Sequence, residues 1–304
     1  MQRRVGYRSI FLVAVLQLGA LTLIIPAGYA KPESLVSSVS DARPTVGDNF
    51  RLCDNCPAFV RVPDAPASLR PVRFVSKFEL TWKNYLAAYD DQACDLPALA
   101  NMAGERSLQA IRENIDLFRI DWPVTQLGPT ELQCYIEWLQ KKTSYKVALP
   151  TGNEWEWLAR GGRKDARYPW GNAPTGGDEA LFGIDDMFVR MPKRPLPDEK
   201  GGEFIDGMEV GRSSPNAWGL YDLMGNVREL TADKISGDAW YKSHPDPAAN
   251  ERVRSFSRTL VKGSDARNKD WSDVSISDNR YAVVVDGRYI SPVGSRLILI
   301  ERAE

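Results

Sequence analysis

Residues 215–229 read Pro-Asn-Ala-Trp-Gly-Leu-Tyr-Asp-Leu-Met-Gly-Asn-Val-Arg-Glu. Asp222 and Glu229 bracket a tight Gly225-Asn226 turn, with Val227 just beyond it. Two carboxylates around such a turn suit a hard cation, because backbone carbonyls of the turn can add oxygen ligands. The same two acids can instead cap turns by accepting backbone N–H bonds. The stretch lies in a long region after Gly162 that is rich in Gly, Pro, Asn and Asp and reads as irregular chain. Loops of that length inside a compact domain need aromatics, bound ions or a function to hold them. The chain has 9 Trp, 11 Tyr and 10 Phe to supply the aromatics.

Outward from this region, regular elements are short and well marked. Thr81 caps a turn carrying Tyr85, Leu86 and Tyr89. Thr130 and Gln133 have the spacing of a capping box ahead of Leu132, Tyr135, Ile136 and Leu139, which recur at helical intervals. Thr151 and Glu154 repeat the device before Trp155, Leu158 and Ala159, and Gly161-Gly162 ends that helix. Strands are expected at Ala58–Val62, Val72–Phe78, Arg258–Lys262, Tyr281–Val285 and Arg296–Ile300. The fold class expected is α+β, irregular and loop-rich, with one domain over residues 49–304.

Four segments in order resemble the formylglycine-generating-enzyme family, the sulfatase-modifying-factor domain. The first is Asp121-Trp-Pro-Val124 with the helix through Tyr135 and Trp138-Leu139. The second is Ala148 to Gly162, followed by Tyr168-Pro-Trp-Gly-Asn172. The third is residues 215–229, and the last is Val261-Lys-Gly-Ser264, standing where the family has Arg-Gly-Gly-Ser, with Gly294-Ser-Arg296. The resemblance spans most of residues 50–300 and implies a C-type-lectin-like scaffold. It also implies a structural calcium site formed by the side chains of Asp222 and Glu229 with the Gly225 and Val227 carbonyls. A second calcium site would use Asp206 and Met208, but its other half needs an Asn near Leu181 that this chain lacks.

Active members of the family hold Cu(I) with two cysteine thiolates, soft ligands for a soft metal, and use it to oxidise a substrate cysteine to formylglycine. No cysteine follows Cys134 here. Counted without gaps from Gly263-Ser264, the two positions fall on Ser272 and Ser277, and the family's next arginine falls on Arg280. Hydroxyls are hard and stay protonated at neutral pH, so copper chemistry is not expected. Trp271 and Asp273 complete the list of candidates near this point, with no catalytic role assigned. The family's aromatic before Glu229 is Arg228 and its Gly-Phe-Arg phenylalanine is Ser295, changes expected near the substrate groove.

The N-terminus carries Arg3, Arg4 and Arg8, an apolar run from Ile10 to Ile25 and small residues up to Ala30, the pattern of a cleavable signal peptide over residues 1–30. Residues 31–48 read as a polar, Pro/Ser-containing linker. The mature chain is then expected in the periplasm or secreted, with no stable membrane anchor. In such a compartment an even cysteine count suggests disulfides, with three pairings open to four cysteines. Cys53, Cys56 and Cys94 are the bridge candidates, whereas Cys134 falls among core positions of a helix. The Cys53-Asp-Asn-Cys56 spacing admits a redox pair, two zinc ligands or a structural loop.

Lys+Arg 39 against Asp+Glu 40 leaves no basic excess for a phosphate backbone, so nucleic acid is not an expected partner. His244 is the sole histidine and excludes a His-rich metal site; in Ser-His-Pro-Asp it reads as a surface loop residue. The function expected is a copper-independent binding or maturation factor, with a peptide, protein or small molecule in its groove. The alternative is an oxidoreductase of the family with an altered site, acting on protein cysteine or on a siderophore peptide.

Overall fold

A computed structural model describes residues 45–96, 120–125, 127–173, 209–212, 214–245, 251, 256–264, 274–285, 288–289 and 293–302. The signal segment, residues 31–44, Asp206, Met208, Trp271, Ser272 and Asp273 lie outside the described residues.

The architecture is α+β, with two five-stranded sheets and four helices among the described residues. The first sheet has the order β1-β2-β3-β10-β4, and its strands are β1 (Asn49–Arg51), β2 (Ala58–Arg61), β3 (Val72–Ser76), β10 (Ile298–Ile300) and β4 (Lys146–Ala148). All its pairings are antiparallel. The second has the order β8-β7-β6-β5-β9, from β8 (Arg288–Tyr289), β7 (Arg280–Val285), β6 (Arg258–Lys262), β5 (Glu229–Ile235) and β9 (Gly294–Ser295). Only its β5–β9 edge is parallel. Residues 45–48, the last of the expected linker, form a turn bonded to Arg61.

Strands of the first sheet show why their sequences lack a polar alternation. Phe59, Phe74 and Leu299 join one core cluster, while Val60, Val75, Ile298 and Ile300 join another. Successive side chains point to opposite faces, so both faces are buried and neighbouring positions such as Phe59-Val60, Phe74-Val75 and Ile298-Leu299-Ile300 are all apolar. The first cluster is covered by α1 (Trp82–Asp90) and α2 (Pro129–Gln140), whose Tyr85 and Tyr135 rings stack at 5.8 Å. The second is covered by α3 (Gly152–Arg160) through Trp155 and Leu158. Each such fully buried side chain stabilises by about 1.5–3 kcal/mol.

The caps of α1 and α3 follow the sequence. Thr81 with Asn84, and Thr151 with Glu154, form reciprocal capping boxes. The Thr130–Gln133 box does not form: α2 starts one residue before Thr130, with Gly128 as N-cap and Pro129 in its first turn. Proline there fixes the helical φ and lacks only a donor that would be unpaired anyway, so it displaces a side-chain cap. Gly161 ends α3 at φ 55°. A Cβ there would lie 2.9 Å from Asn216, whose side chain donates to the Leu158 and Ala159 carbonyls. Asn216, at the start of the stretch that opened the analysis, therefore closes a helix distant in sequence.

Two corrections concern regular structure. The region after Gly162 is not irregular throughout, since β5 and α4 (Gly237–Ser243) arise within it. Ser236 caps α4 through the Ala239 N–H. Cys134 is also bridged: the disulfides are Cys53–Cys56 and Cys94–Cys134. Helical spacing places Cys134 beside core residues, but being half-buried on α2 it faces the chain that leaves α1. The longer bridge spans 40 residues and contributes about 4 kcal/mol by loop-closure entropy.

Candidate functional site

The site grows from one rung of the second sheet. β5 and β6 pair so that Glu229 lies opposite Lys262, and consecutive residues of α3, Trp155 and Glu156, reach one member each. Trp155 Nε1 donates to Glu229 at 2.7 Å, while Lys262 Nζ donates to Glu156 at 2.6 Å. The rung thus feeds two polar clusters.

The first cluster is dry. Arg296 donates to Glu229 through Nη2 at 2.7 Å and Nε at 3.0 Å, then to the Ser76 and Tyr221 carbonyls at 2.8 and 2.7 Å. Burial works against the Arg296 charge, but the Glu229 carboxylate outweighs it and holds the guanidinium pKa above its ordinary value. Nearby Glu79 is fully buried and neither of its carboxylate oxygens has a hydrogen-bond partner. Burial first, then the charge of Asp222, pushes its carboxyl well above the usual range. Asp222 itself sits at φ 57° and accepts from the Gly211 N–H.

These positions bear on calcium. The carboxylate of Glu229 is already engaged by a guanidinium and an indole, which leaves Asp222 and the Gly225 and Val227 carbonyls as the rest of the expected ligand set. Gly225 and Asn226 both adopt positive φ, 103° and 51°, so the turn is as tight as its sequence requires. Among the described residues no group of three His, Cys, Asp or Glu side chains is arranged around a common point for a metal.

The second cluster opens to solvent. The ammonium of Lys262, itself buried, donates to Glu156, to Asn279 Oδ1 at 2.7 Å, and to the Ser277 and Asp278 carbonyls at 3.4 and 3.3 Å. Arg160, one helical turn from Glu156, donates to Ser277 Oγ at 2.8 Å, and that hydroxyl donates to Glu156 at 3.3 Å. Glu156 and Arg160 are 19% and 25% exposed, and Ser277 is exposed, so this cluster faces water. Arg280 opens β7 at the rim. Gly263, beside Lys262, has φ 76°, and a Cβ there would lie 2.9 Å from the Leu223 carbonyl, so β6 leaves its sheet only because this residue is glycine.

Among the remaining expected positions, Ser295 is buried in β9 and its carbonyl accepts from Leu80. The change there falls on a buried position of β9, the strand at one edge of the second sheet. His244 caps α4, is exposed, and stacks on Trp240 at 3.8 Å.

The sulfatase-modifying factor enzyme 1-like domain matches residues 38–292 of this chain. The chain belongs to that family. An inactive C-alpha-formylglycine-generating enzyme 2 of Bos taurus is 32% identical over 151 residues, 46% of this chain and 45% of the relative. A formylglycine-generating enzyme of Thermomonospora curvata is 34% identical over 123 residues, 40% of this chain and 37% of the relative. The chain thus spans less than half the length of these relatives. Chaperone protein LppX of Paenibacillus barcinonensis is 24% identical over 197 residues, covering 58% of this chain and 65% of LppX. The solved structure of PvdO from Pseudomonas aeruginosa shares the fold, with TM-score 0.50, 18% identity, and coverage of 85% of this chain and 100% of that one.

In the ungapped register read from the sequence, Lys262 falls on the first glycine of Arg-Gly-Gly-Ser and Ser277 on an expected copper-cysteine position. The residues present do not fit copper. On that register a hydroxyl would stand for a thiolate, with the Arg160 guanidinium on its oxygen and the Lys262 ammonium on the Ser277 carbonyl, two cations that would oppose a cationic metal. Sequence reasoning found Ser277 but missed Glu156, Arg160, Lys262 and Asn279. One signal was present, a lysine where the family's Arg-Gly-Gly-Ser has a glycine.

Proposed function

We propose that this chain is a copper-independent member of its family, which uses the surface around Ser277 to bind a polypeptide or small-molecule partner and assist its maturation. The observation that supports this is the Lys262 ammonium, fixed among Glu156, Asn279 and two carbonyls beside the position of a copper ligand. The similarity to a protein named as a chaperone supports the maturation side of the reading. The two disulfides suit an oxidising compartment, in keeping with export through cleavage after Ala30. N-terminal sequencing of the exported protein is expected to begin at Lys31, and an intact leader on membrane-bound protein would contradict it.

Calcium is proposed as structural, held at Asp222 and the Gly225 and Val227 carbonyls. At a hundredfold excess over the dissociation constant, binding to the folded state alone stabilises by about 2.7 kcal/mol. A melting temperature indifferent to calcium and chelator would refute that part. The binding role is tested by titrating the purified chain with a panel of unstructured peptides, with Arg160→Ala and Ser277→Trp as variants. Affinity lost in both variants supports the reading, and affinity unchanged in both overturns it.

A further inference from the structure

The two disulfides differ in what governs thiol exchange. Cys94–Cys134 joins residues 40 apart and ties the chain after α1 to α2. Cys53–Cys56 spans a separation of 3, so the bond removes little freedom from the reduced chain. Its two sulfurs are placed asymmetrically. Cys53 is partly exposed, followed by exposed Asp54 and Asn55, whereas Cys56 is wholly buried.

The loop is also held without its S–S bond. Cys56 N–H donates to the Cys53 carbonyl at 3.0 Å, Asn84 Nδ2 donates to the Asn55 carbonyl at 2.8 Å, and Arg51 Nη1 donates to the Cys56 carbonyl at 2.5 Å. Directly after Pro57, β2 is anchored on both sides by β1 and β3. Opening the bond therefore leaves the two thiols facing each other, ready to close again. A cavity of about 210 Å³ adjoins the loop, walled in part by Arg51, Pro57, Phe78 and Lys83, with Glu79 and Glu209 also lining it. Its charged lining is mixed, Arg51 and Lys83 against Glu79, Asp121 and Glu209, and it begins at Pro57, directly after Cys56.

We propose that Cys53–Cys56 is an exchange-active disulfide that takes two electrons from a dithiol in a polypeptide partner. The partner's thiolate attacks Sγ of Cys53, forming a mixed disulfide. The Cys53–Cys56 bond breaks with its electron pair on Cys56 Sγ, which is protonated by water. The partner's second thiolate attacks its own sulfur in the mixed disulfide and releases Cys53 as thiolate. The partner ends as a disulfide and the chain as a dithiol, to be reoxidised by a second disulfide compound. This activity is separate from binding at Ser277 and does not depend on it.

The test uses the full-length mature chain and a reduced peptide bearing a Cys-x-x-Cys dithiol. Oxidised protein is equilibrated with graded ratios of reduced to oxidised glutathione, alkylated and mapped by mass spectrometry. Cys53–Cys56 is expected to open at a ratio roughly fifty-fold less reducing than Cys94–Cys134 requires, as loop closure alone implies, with the circular dichroism unchanged. The dithiol peptide is expected to become a disulfide in step with that opening. A Cys56→Ser variant carrying thionitrobenzoate on Cys53 as a mixed disulfide is expected to release it to a peptide in which one cysteine of the pair is serine, and to hold that peptide on Cys53. Opening of both bridges together, or only with loss of fold, overturns the proposal, as does a peptide left reduced by wild-type protein. The wild-type measurements stand even if the variant does not fold.

Discussion

Glu229 and Lys262 face each other across one rung of a sheet, yet the clusters they enter have opposite characters. At Glu229 the ion pair itself is satisfied inside the protein, by Arg296, Trp155 and backbone carbonyls, and both its members are buried, with Glu79 beside them left without a hydrogen-bond partner. At Lys262 the charge is equally buried, but its partner Glu156 is shared with Arg160 and an exposed hydroxyl. The difference comes from what covers each end. Ser76 of β3 closes over Arg296 at the first, whereas among the described residues the turn carrying Ser277 lies against the second. A buried ion pair with complete partners is a fixed point of the architecture, and a half-covered one is a place where another molecule can reach polar groups.

The largest expected effect breaks the first cluster. Arg296→Met leaves Glu229 buried without its counter-charge and is expected to cost about 3–5 kcal/mol in guanidinium chloride unfolding. Adding Glu229→Leu is expected to recover part of that loss, because no lone charge then remains. Glu156→Gln is expected to cost about 1–3 kcal/mol, since Lys262 keeps Asn279 and two carbonyls while water reaches the gap. Equal losses for Arg296→Met and Glu156→Gln would erase the distinction between the clusters.

A smaller effect lies at the start of α3, which carries both Trp155 and Glu156. Burial alone would raise the carboxyl of Glu154, but hydrogen bonds from Arg70 and Thr151 outweigh it and hold its pKa below the usual value. A depressed folded-state pKa gives stability that is present above the unfolded value and lost as pH falls through the folded one. Melting temperature is therefore expected to drop on acidification below about pH 4.3, the unfolded value, and Arg70→Ala is expected to flatten that drop. An unchanged pH profile in Arg70→Ala would mean that Thr151 alone fixes Glu154.

Much of this was legible in the sequence because local chemistry and tertiary role agree there. Thr81, Thr151 and Gly161 cap the helices their spacing announces, and the strand Arg258–Lys262 falls where its residues place it. The α2 cap was misread because proline at the first turn competes with a capping box that looks as good in one dimension. Strand β4 and helix α4 were missed because each is short and owes its form to neighbours. Cys134 escaped because helical spacing separates core from surface but does not identify the loop that packs outside the core. The Ser277 position came from alignment, yet its surroundings did not. Glu156, Arg160 and Lys262 come from two elements about a hundred residues apart; Glu156 and Arg160 meet the Ser277 hydroxyl, while Lys262 reaches Glu156 and the Ser277 carbonyl.

On the ungapped register, the reading we propose puts the ammonium, guanidinium and hydroxyl around Ser277 where the family's oxidases hold copper. The most direct measurement is metal analysis of the purified mature chain after anaerobic loading with Cu(I), with oxygen uptake then followed in the presence of a cysteine peptide. The account predicts no stoichiometric copper, no oxygen uptake above the peptide's own rate and no formylglycine by mass spectrometry. One equivalent of bound copper with conversion of the peptide would contradict it, and would place the chemistry on residues other than Ser277 and its cationic neighbours.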